Sequence, residues 1–190
     1  ASDVYKRQTM YLSRDDDMDS DIYYSTFDGN KWSPAEPVPG NINTANWESH
    51  AFVTEDGSAM VFASDRPGGM GGLDLYISYK NNAGEWGQPV NLGPEINTPF
   101  NEDRPFMINK GTKLFFCSQG HYTMGGYDLF KSEKQPNDNW SKPENLGYPL
   151  NTSDDDVFFM PVGDGSSGYI SVHREGKGFG KEDIYLIKFK

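Results

Sequence analysis

The sequence predicts an all-β fold built from repeated four-stranded units, and three observations predict it. The first is a 54-residue period: Trp32, Trp86 and Trp140 keep this step, and so do Asn43-Thr44, Asn97-Thr98 and Asn151-Thr152. Gly57, Gly111 and Gly165 share it, as do Glu48, Glu102 and Asp156. Sliding residues 48–101 over 102–155 without a gap gives 19 identities in 54 positions, gathered at turn residues and large apolar residues, where a repeated fold would place them. The second is a glycine-rich stretch between apolar ends, Phe62–Tyr76, which returns at Phe116–Phe130 with worn copies at Tyr11–Tyr23 and Ile170–Tyr185. Glycines there free the backbone for tight turns, and the apolar ends read as strands. The third is composition: 21 Gly and 12 Pro suit many short strands and turns, and no convincing helical period interrupts them.

Residues 1–8 fit no repeat and read as a disordered or foreign head, leaving 9–190 as one domain. Within it, Met10–Ser13 predicts a short strand, Arg14–Asp21 an acidic loop and Ile22–Phe27 a second strand. Asp28-Gly29 is a hairpin signal, and Trp32–Val38 follows as an edge strand because its prolines cannot donate to a ladder. The unit 48–101 reads as strands at Ala51–Thr54, Ala59–Ala63, Leu73–Tyr79 and Trp86–Leu92. The unit 102–155 repeats them at Pro105–Ile108, Lys113–Cys117, Tyr127–Lys131 and Trp140–Leu146. Residues 156–190 give three more, Val157–Pro161, Gly168–Val172 and Ile184–Phe189. Four strands per repeat with tight turns is the layout of a β-propeller blade, whose two faces are buried by its neighbours. The expectation is about four blades: two complete (48–101 and 102–155) and two partial (9–47 and 156–190). Unpaired edges then make the chain a piece of a larger ring, unless the two partial units close on each other as one composite blade. Phe52, Phe62, Leu75 and Trp86, with their partners one period on, form the expected core between blades.

The net charge of −11 argues against nucleic acid, whose phosphates it would repel. No apolar run approaches the roughly 20 residues of a membrane helix, and the first residues lack the apolar region of a signal peptide. With aromatics at 14%, a chain of 190 residues has material for a core that buries about 70% of its extended surface. Cys117 is the lone cysteine, so an internal disulfide and a cysteine-based zinc site are excluded, and its apolar surroundings make it a small core residue.

The pattern Phe-x-Ser-Asp-Arg…Gly-Gly…Asp-Leu-Tyr, followed by Trp-x-x-Pro-x-Asn-Leu-Gly-x-x-Ile-Asn-Thr, resembles the WD-repeat-like propeller repeat of the TolB type. The long version, with Gly-Gly-Met-Gly-Gly, is similar to propellers of OmpA-family envelope proteins of gliding and gut bacteria. The first unit departs from it, with Arg14–Asp21 in place of the glycine loop, and the last has Val172-His173-Arg174 where Ser64-Asp65-Arg66 stands in the second. The resemblance implies a non-enzymatic scaffold or binding module of the periplasm or outer membrane, without cofactor, whose partner is an envelope protein or peptidoglycan-associated component.

Candidate chemistry is sparse. Asp74 and Asp128 follow the glycine loops, with Asp21 and Asp183 in the matching places; they read as acceptors for their own loops' N–H groups rather than as metal ligands. Asp15, Asp17, Asp19 and Asp21 alternate as calcium ligands do, yet the glycine of a calcium loop is missing, so a solvated acidic loop is preferred. His50, His121 and His173 come from different units, and their convergence on a metal is the minor reading. Ser25–Trp32 resembles the Asp-box turn of sialidase propellers with its Asp one residue late, and a plain hairpin accounts for it. No G-x-S-x-G, H-E-x-x-H, P-loop or dinucleotide fingerprint is present.

The repeat places residues before each first strand and those of the glycine loop on one face. That face gathers Glu48, His50, Glu102, Asp103, Arg104 and Asp156 beside Asp65, Arg66, His121, His173 and Arg174. Arg66, Arg104 and Arg174 are the expected partner anchors, with Asp65, Asp103 and His121 around them; intramolecular Arg–Asp pairing is the competing account. Alternatives of other classes are the propeller of a hydrolase, glycosidase-like or peptidase-associated, and a carbohydrate-binding module. The three repeated tryptophans are expected to pack outer strands onto their blades. Trp86→Ala should then cost about 3–5 kcal/mol, read from denaturant unfolding.

Overall fold

The computed structural model describes residues 8–16, 19–172 and 183–189; the expected site residues His173 and Arg174, like residues 1–7, lie outside them. Among the described residues there is no helix, and the strands form four separate antiparallel sheets. The first sheet holds β1 (Gln8–Asp16), β2 (Asp19–Phe27) and β3 (Glu36–Pro37). The second holds β4 (Glu48–Val53), β5 (Ala59–Ser64), β6 (Asp74–Tyr79) and β7 (Val90–Asn91). The third repeats it as β8 (Glu102–Ile108), β9 (Lys113–Ser118), β10 (Asp128–Glu133) and β11 (Glu144–Asn145). The fourth holds β12 (Phe159–Val162), β13 (Ser167–Val172) and β14 (Asp183–Lys188). Each sheet runs in chain order as a meander, the radial layout of a propeller. Among the described residues the first and fourth sheets share no strand pairing, so no composite blade forms from them.

Two expectations change. The acidic segment is not a loop up to Asp16: Arg14 faces Asp21, Asp15 faces Ser20 and Asp16 faces Asp19 in the β1–β2 ladder. The outer strands shrink to two residues each, preceded by single bridges at the tryptophans, Phe27–Trp32, Lys80–Trp86 and Lys134–Trp140. Pro34, Pro89 and Pro143 sit between bridge and strand, and a residue without an N–H breaks the ladder there. Gly57, Gly111 and Gly165 turn each first strand into the second with φ of 71°, 81° and 80°, a region that L side chains rarely enter.

Apolar clusters fill the gaps between successive sheets. Ile22, Val38 and Ile42 meet Met60, Phe62, Tyr76 and Trp86 across the first gap. Val61, Leu75 and Ile77 meet Met107, Leu114, Phe116 and Phe130 across the second, with Phe52 tilted on Phe106 at 5.4 Å. Phe115, Cys117 and Leu129 meet Phe159 and Ile170 across the third. Every residue of β5 is buried because the second sheet is covered on both faces. Trp86 is 8% exposed, as a packing role requires, while Trp32 lies tilted against Phe27 at 5.3 Å yet stays 42% exposed.

Side-chain amides and carboxylates tie each sheet to the next. The Asn97 side chain accepts from the Leu75 N–H at 2.8 Å and donates to the Leu75 carbonyl at 3.0 Å, pairing with β6 as a strand would. Asn43 does this to Ile22 and Asn151 to Leu129. The adjoining threonine holds the following sheet. Glu102, at the start of β8, accepts from the Thr98 N–H and hydroxyl, each at 2.7 Å, and from Ser118 Oγ at 2.6 Å. Glu48 repeats this with Thr44 and Ser64, and Asp156 with Thr152.

The Met-Gly-Gly repeat is explained by close approach. A Cβ on Gly71 would meet the Thr98 carbonyl oxygen at 2.5 Å and the Pro99 carbonyl carbon at 2.7 Å; one on Gly125 would meet Ser153 and Asp154 in the same way. Backbone cannot yield as a side-chain tip can, so Gly71→Ala or Gly125→Ala should each destabilise by about 1–3 kcal/mol in denaturant unfolding. Gly84→Ala, where φ is 80° but no atom lies within 4 Å, separates turn strain from this clash.

Candidate functional site

Register brings the start of each first strand against the end of the second: Glu48 faces Ser64 and Glu102 faces Ser118. Most polar residues of this end are engaged within the fold. Glu48 and Glu102 are fully buried and Asp156 is 7% exposed, all serving the inter-sheet ties. Arg66 donates to Glu48 at 3.1 Å, to Ser64 and to the Ile42 and Asn41 carbonyls, and lies over the Phe62 and Tyr76 rings at 5.0 and 5.1 Å. Asp65 accepts from the Trp47 N–H. His121 reaches the Ile96 carbonyl at 2.8 Å through Nε2 and packs against Phe116 and Phe130.

The loop aspartates are acceptors too. Asp74 takes N–H bonds from Met70 and Gly71 and an amide bond from Asn91; Asp128 takes the same set from Met124, Gly125 and Asn145. Asp21 and Asp183 occupy the ladder positions facing Arg14 and Val172. Asp28 accepts from the Asn30 and Lys31 N–H groups, which makes 25–32 an ordinary hairpin. Among the described residues no three His, Cys, Asp or Glu side chains gather where a metal could sit. Cys117 donates to the Asp103 carbonyl, and burial pushes its thiol far above the ordinary range.

A different arrangement forms on the innermost strands. A β-bulge interrupts β4 between Ser49 and Phe52, and another interrupts β8 between Asp103 and Phe106. Within them His50 (φ 42°) and Arg104 (φ 50°) take the left-handed conformation, which costs a non-glycine residue on the order of 1 kcal/mol or more. Bulges re-aim side chains, and these two, one period apart, line one cavity of about 120 Å³ with Ala51, Pro105, Phe106 and Phe158. His50 Nδ1 lies 2.9 Å from Asp103 Oδ1, which also accepts the Arg104 N–H at 2.8 Å. A larger cleft of about 480 Å³ opens beside it, lined by Arg104, Asp154, Asp155, Phe158 and Ile184 among others. Arg104 makes no ion pair among the described residues. Phe158 was not marked by its type; the signal was that His50, Arg104 and Phe158 occupy one repeat position with three unrelated side chains.

No protein family and no curated protein sequence matches this chain. Its fold is similar to that of solved propellers. TolB from Acinetobacter baumannii superposes with a TM-score of 0.60 at 14% identity over 95% of this chain and 38% of that one. An alpha-L-arabinofuranosidase from Lactobacillus brevis gives 0.63 at 14% identity over 97% of this chain and 69% of that one. A xylan beta-1,4-xylosidase from Bacillus halodurans C-125 gives 0.50 at 15% identity over 95% and 38%. The chain thus spans well under half of TolB and of the xylosidase. The propeller architecture is established by these likenesses. They correct the expectation that the chain is no enzyme: glycoside hydrolases share this fold, so the architecture gives no ground for excluding catalysis.

Burial raises the Glu102 carboxyl above the ordinary glutamate range, against the lowering effect of its Ser118 and Thr98 hydrogen bonds. Asp156 is raised for the same first reason. A proton held more tightly in the folded state means that stability grows as pH falls from neutral through the raised value, toward the unfolded value near about 4.3. Glu102→Gln removes this gain. The melting-temperature gap between wild type and variant should widen in favour of wild type as pH drops from about 7 to about 5; a constant gap would show that Glu102 does not titrate there.

Proposed function

We propose that this chain is the binding propeller of a larger bacterial-envelope protein, and that Arg104, with Asp103 and His50, takes a carboxylate-bearing partner at the innermost strands. The observation that supports this reading is Arg104, held at a left-handed bulge, lining both the small cavity and the adjoining cleft and without an ion pair among the described residues. Arginine presents a planar fork suited to a carboxylate, and Phe158 with Phe106 offers an apolar wall beside it. The envelope setting, with an envelope protein or peptidoglycan-associated component as partner and a periplasmic or outer-membrane site, rests on the repeat's resemblance to TolB-type and OmpA-family propellers. Arg66 contributes as a support of Glu48, and His121 and Asp65 as supports of the neighbouring loops.

A second reading is favoured by the occurrence of the fold in an arabinofuranosidase and a xylosidase. A glycosidase needs two carboxylates flanking the bond to be cut. Asp103, which accepts the Arg104 N–H, and Asp154, which lines the adjoining cleft with Arg104, are the candidates for that pair.

Titration calorimetry with carboxylate-bearing peptidoglycan fragments tests the first reading. Arg104→Ala should keep the melting temperature and lose at least about tenfold in affinity, the scale of one charge-assisted hydrogen bond. Equal affinity with Arg104 removed would refute it. Release of nitrophenol from aryl arabinofuranosides or xylosides, abolished by Asp103→Asn and by Asp154→Asn, would establish the second reading in its place.

A further inference from the structure

A groove of about 770 Å³ runs between the second and third sheets, at the opposite sheet edge from Arg104 of β8. Ile77 and Leu92 line its apolar side, and Tyr79 lies 52% exposed along it. Trp140, which packs against the core of that gap, lines it from the third sheet. Both walls belong to complete four-stranded sheets. The gap between the first and second sheets has a matching cleft of about 480 Å³, with Trp86 and Lys80 in the places of Trp140 and Lys134.

The lysine is used differently in the two clefts. Lys80 Nζ lies over the Trp86 ring at 4.7 Å, and Trp86 is buried. Lys134 instead pairs with Asp138 at 3.3 Å, and among the described residues no cation lies over Trp140. Asp138 stands where the earlier hairpin has Gly84, and the turn is the same: the Gly84 N–H donates to the Asn81 carbonyl and the Asp138 N–H to the Gln135 carbonyl. With φ at 80° in Gly84 and 64° in Asp138, the third sheet carries a side chain where the backbone favours glycine. That side chain draws Lys134 to itself and leaves the indole of Trp140 to the groove.

The remaining polar groups suit hydroxyls. Asn137 Oδ1 accepts the Asn139 N–H, while the Asn137 amide nitrogen and the Asn139 side-chain amide have no partner among the described residues. Glu95 makes no ion pair among them either. Side-chain amides both donate and accept, as sugar hydroxyls do, and an aromatic ring takes the apolar C–H face of a sugar. With Lys134 committed to Asp138, Glu95 unpaired and a net charge of −11, the groove repels an anion. An extended peptide finds no ladder to join, since β7 is only Val90–Asn91 and Pro89 and Pro94 near it lack N–H groups. We propose that this groove binds a neutral oligosaccharide, with Tyr79 and Trp140 stacking on sugar rings and Asn137, Asn139 and Glu95 holding their hydroxyls. The proposal stands independently of the ligand site at Arg104.

The test is titration calorimetry of the chain with cellohexaose, xylohexaose and chitohexaose, each taken to about 10 mM so that millimolar affinities register. At least one should bind saturably, and the anionic hexagalacturonate should bind at least about tenfold more weakly. Tyr79→Ala, at an exposed position, should lower the affinity about three- to tenfold, the scale of one ring contact. Asp138→Gly restores the residue of the earlier hairpin. It should weaken binding by a similar factor without lowering the melting temperature, because Lys134 then moves onto Trp140. No saturable binding of any neutral hexasaccharide would overturn the proposal, and so would equal binding of hexagalacturonate. Affinity unchanged by Tyr79→Ala or by Asp138→Gly would overturn it as well. Affinity lost with Arg104→Ala would do the same, since the sugar would then sit at the innermost strands.

Discussion

A buried carboxylate that must be satisfied sets the spacing of this structure. Taking a charge out of water costs several kcal/mol unless donors surround it. Glu102 receives the Thr98 N–H, the Thr98 hydroxyl and the Ser118 hydroxyl, while Asn97 next to that threonine grips the backbone of the preceding sheet. One short segment thereby fixes where the next sheet begins and how close it lies to the last. Glu48 has the same environment with Arg66 added. Among the described residues Asp156 has only Thr152 as its side-chain hydrogen-bond donor, and Val172 stands where Ser64 and Ser118 stand in the earlier units.

The apolar contacts and glycines follow from that spacing. With sheets held at one separation, Val61 and Phe116, or Phe115 and Phe159, fill the gap with side chains of complementary bulk. Gly71 and Gly125 are where the backbone of one unit presses on the next. The aspartates of the glycine loops then have their N–H donors delivered to them, from Met70 and Gly71 in one unit and from Met124 and Gly125 in the next.

The repeat was legible because its signals are local. Proline, glycine and asparagine act within a few residues, so strand order, turn positions and the sheet sizes could be read from spacing. Three things could not. Whether Glu48 and Glu102 face solvent or the interior depends on a serine sixteen residues away folding over them. The extent of β1 and β2 through their acidic residues depends on cross-strand pairing that no local pattern announces. The bulges at His50 and Arg104 put non-glycine residues at positive φ, against local preference, so only tertiary structure could reveal that these two side chains share a cavity. Arg66 and Arg104 illustrate the limit: alike as sequence candidates, one is stacked on Phe62 beside Glu48 and the other is open to a cavity.

The position shared by His50, Arg104 and Phe158 stands outside the Thr–Glu and Asn ties that recur between sheets, although His50 itself reaches Asp103 of the third sheet through Nδ1 and Ser13 of the first through its N–H. Nothing in the carboxylate network constrains its side chain, since Asp103 receives the Arg104 backbone N–H rather than the guanidinium. In the proposed function, architecture and recognition are carried by different residues of the same repeat. Duplicating a unit copies the scaffold and brings one variable side chain to this position, where the proposed recognition would be changed by substitution.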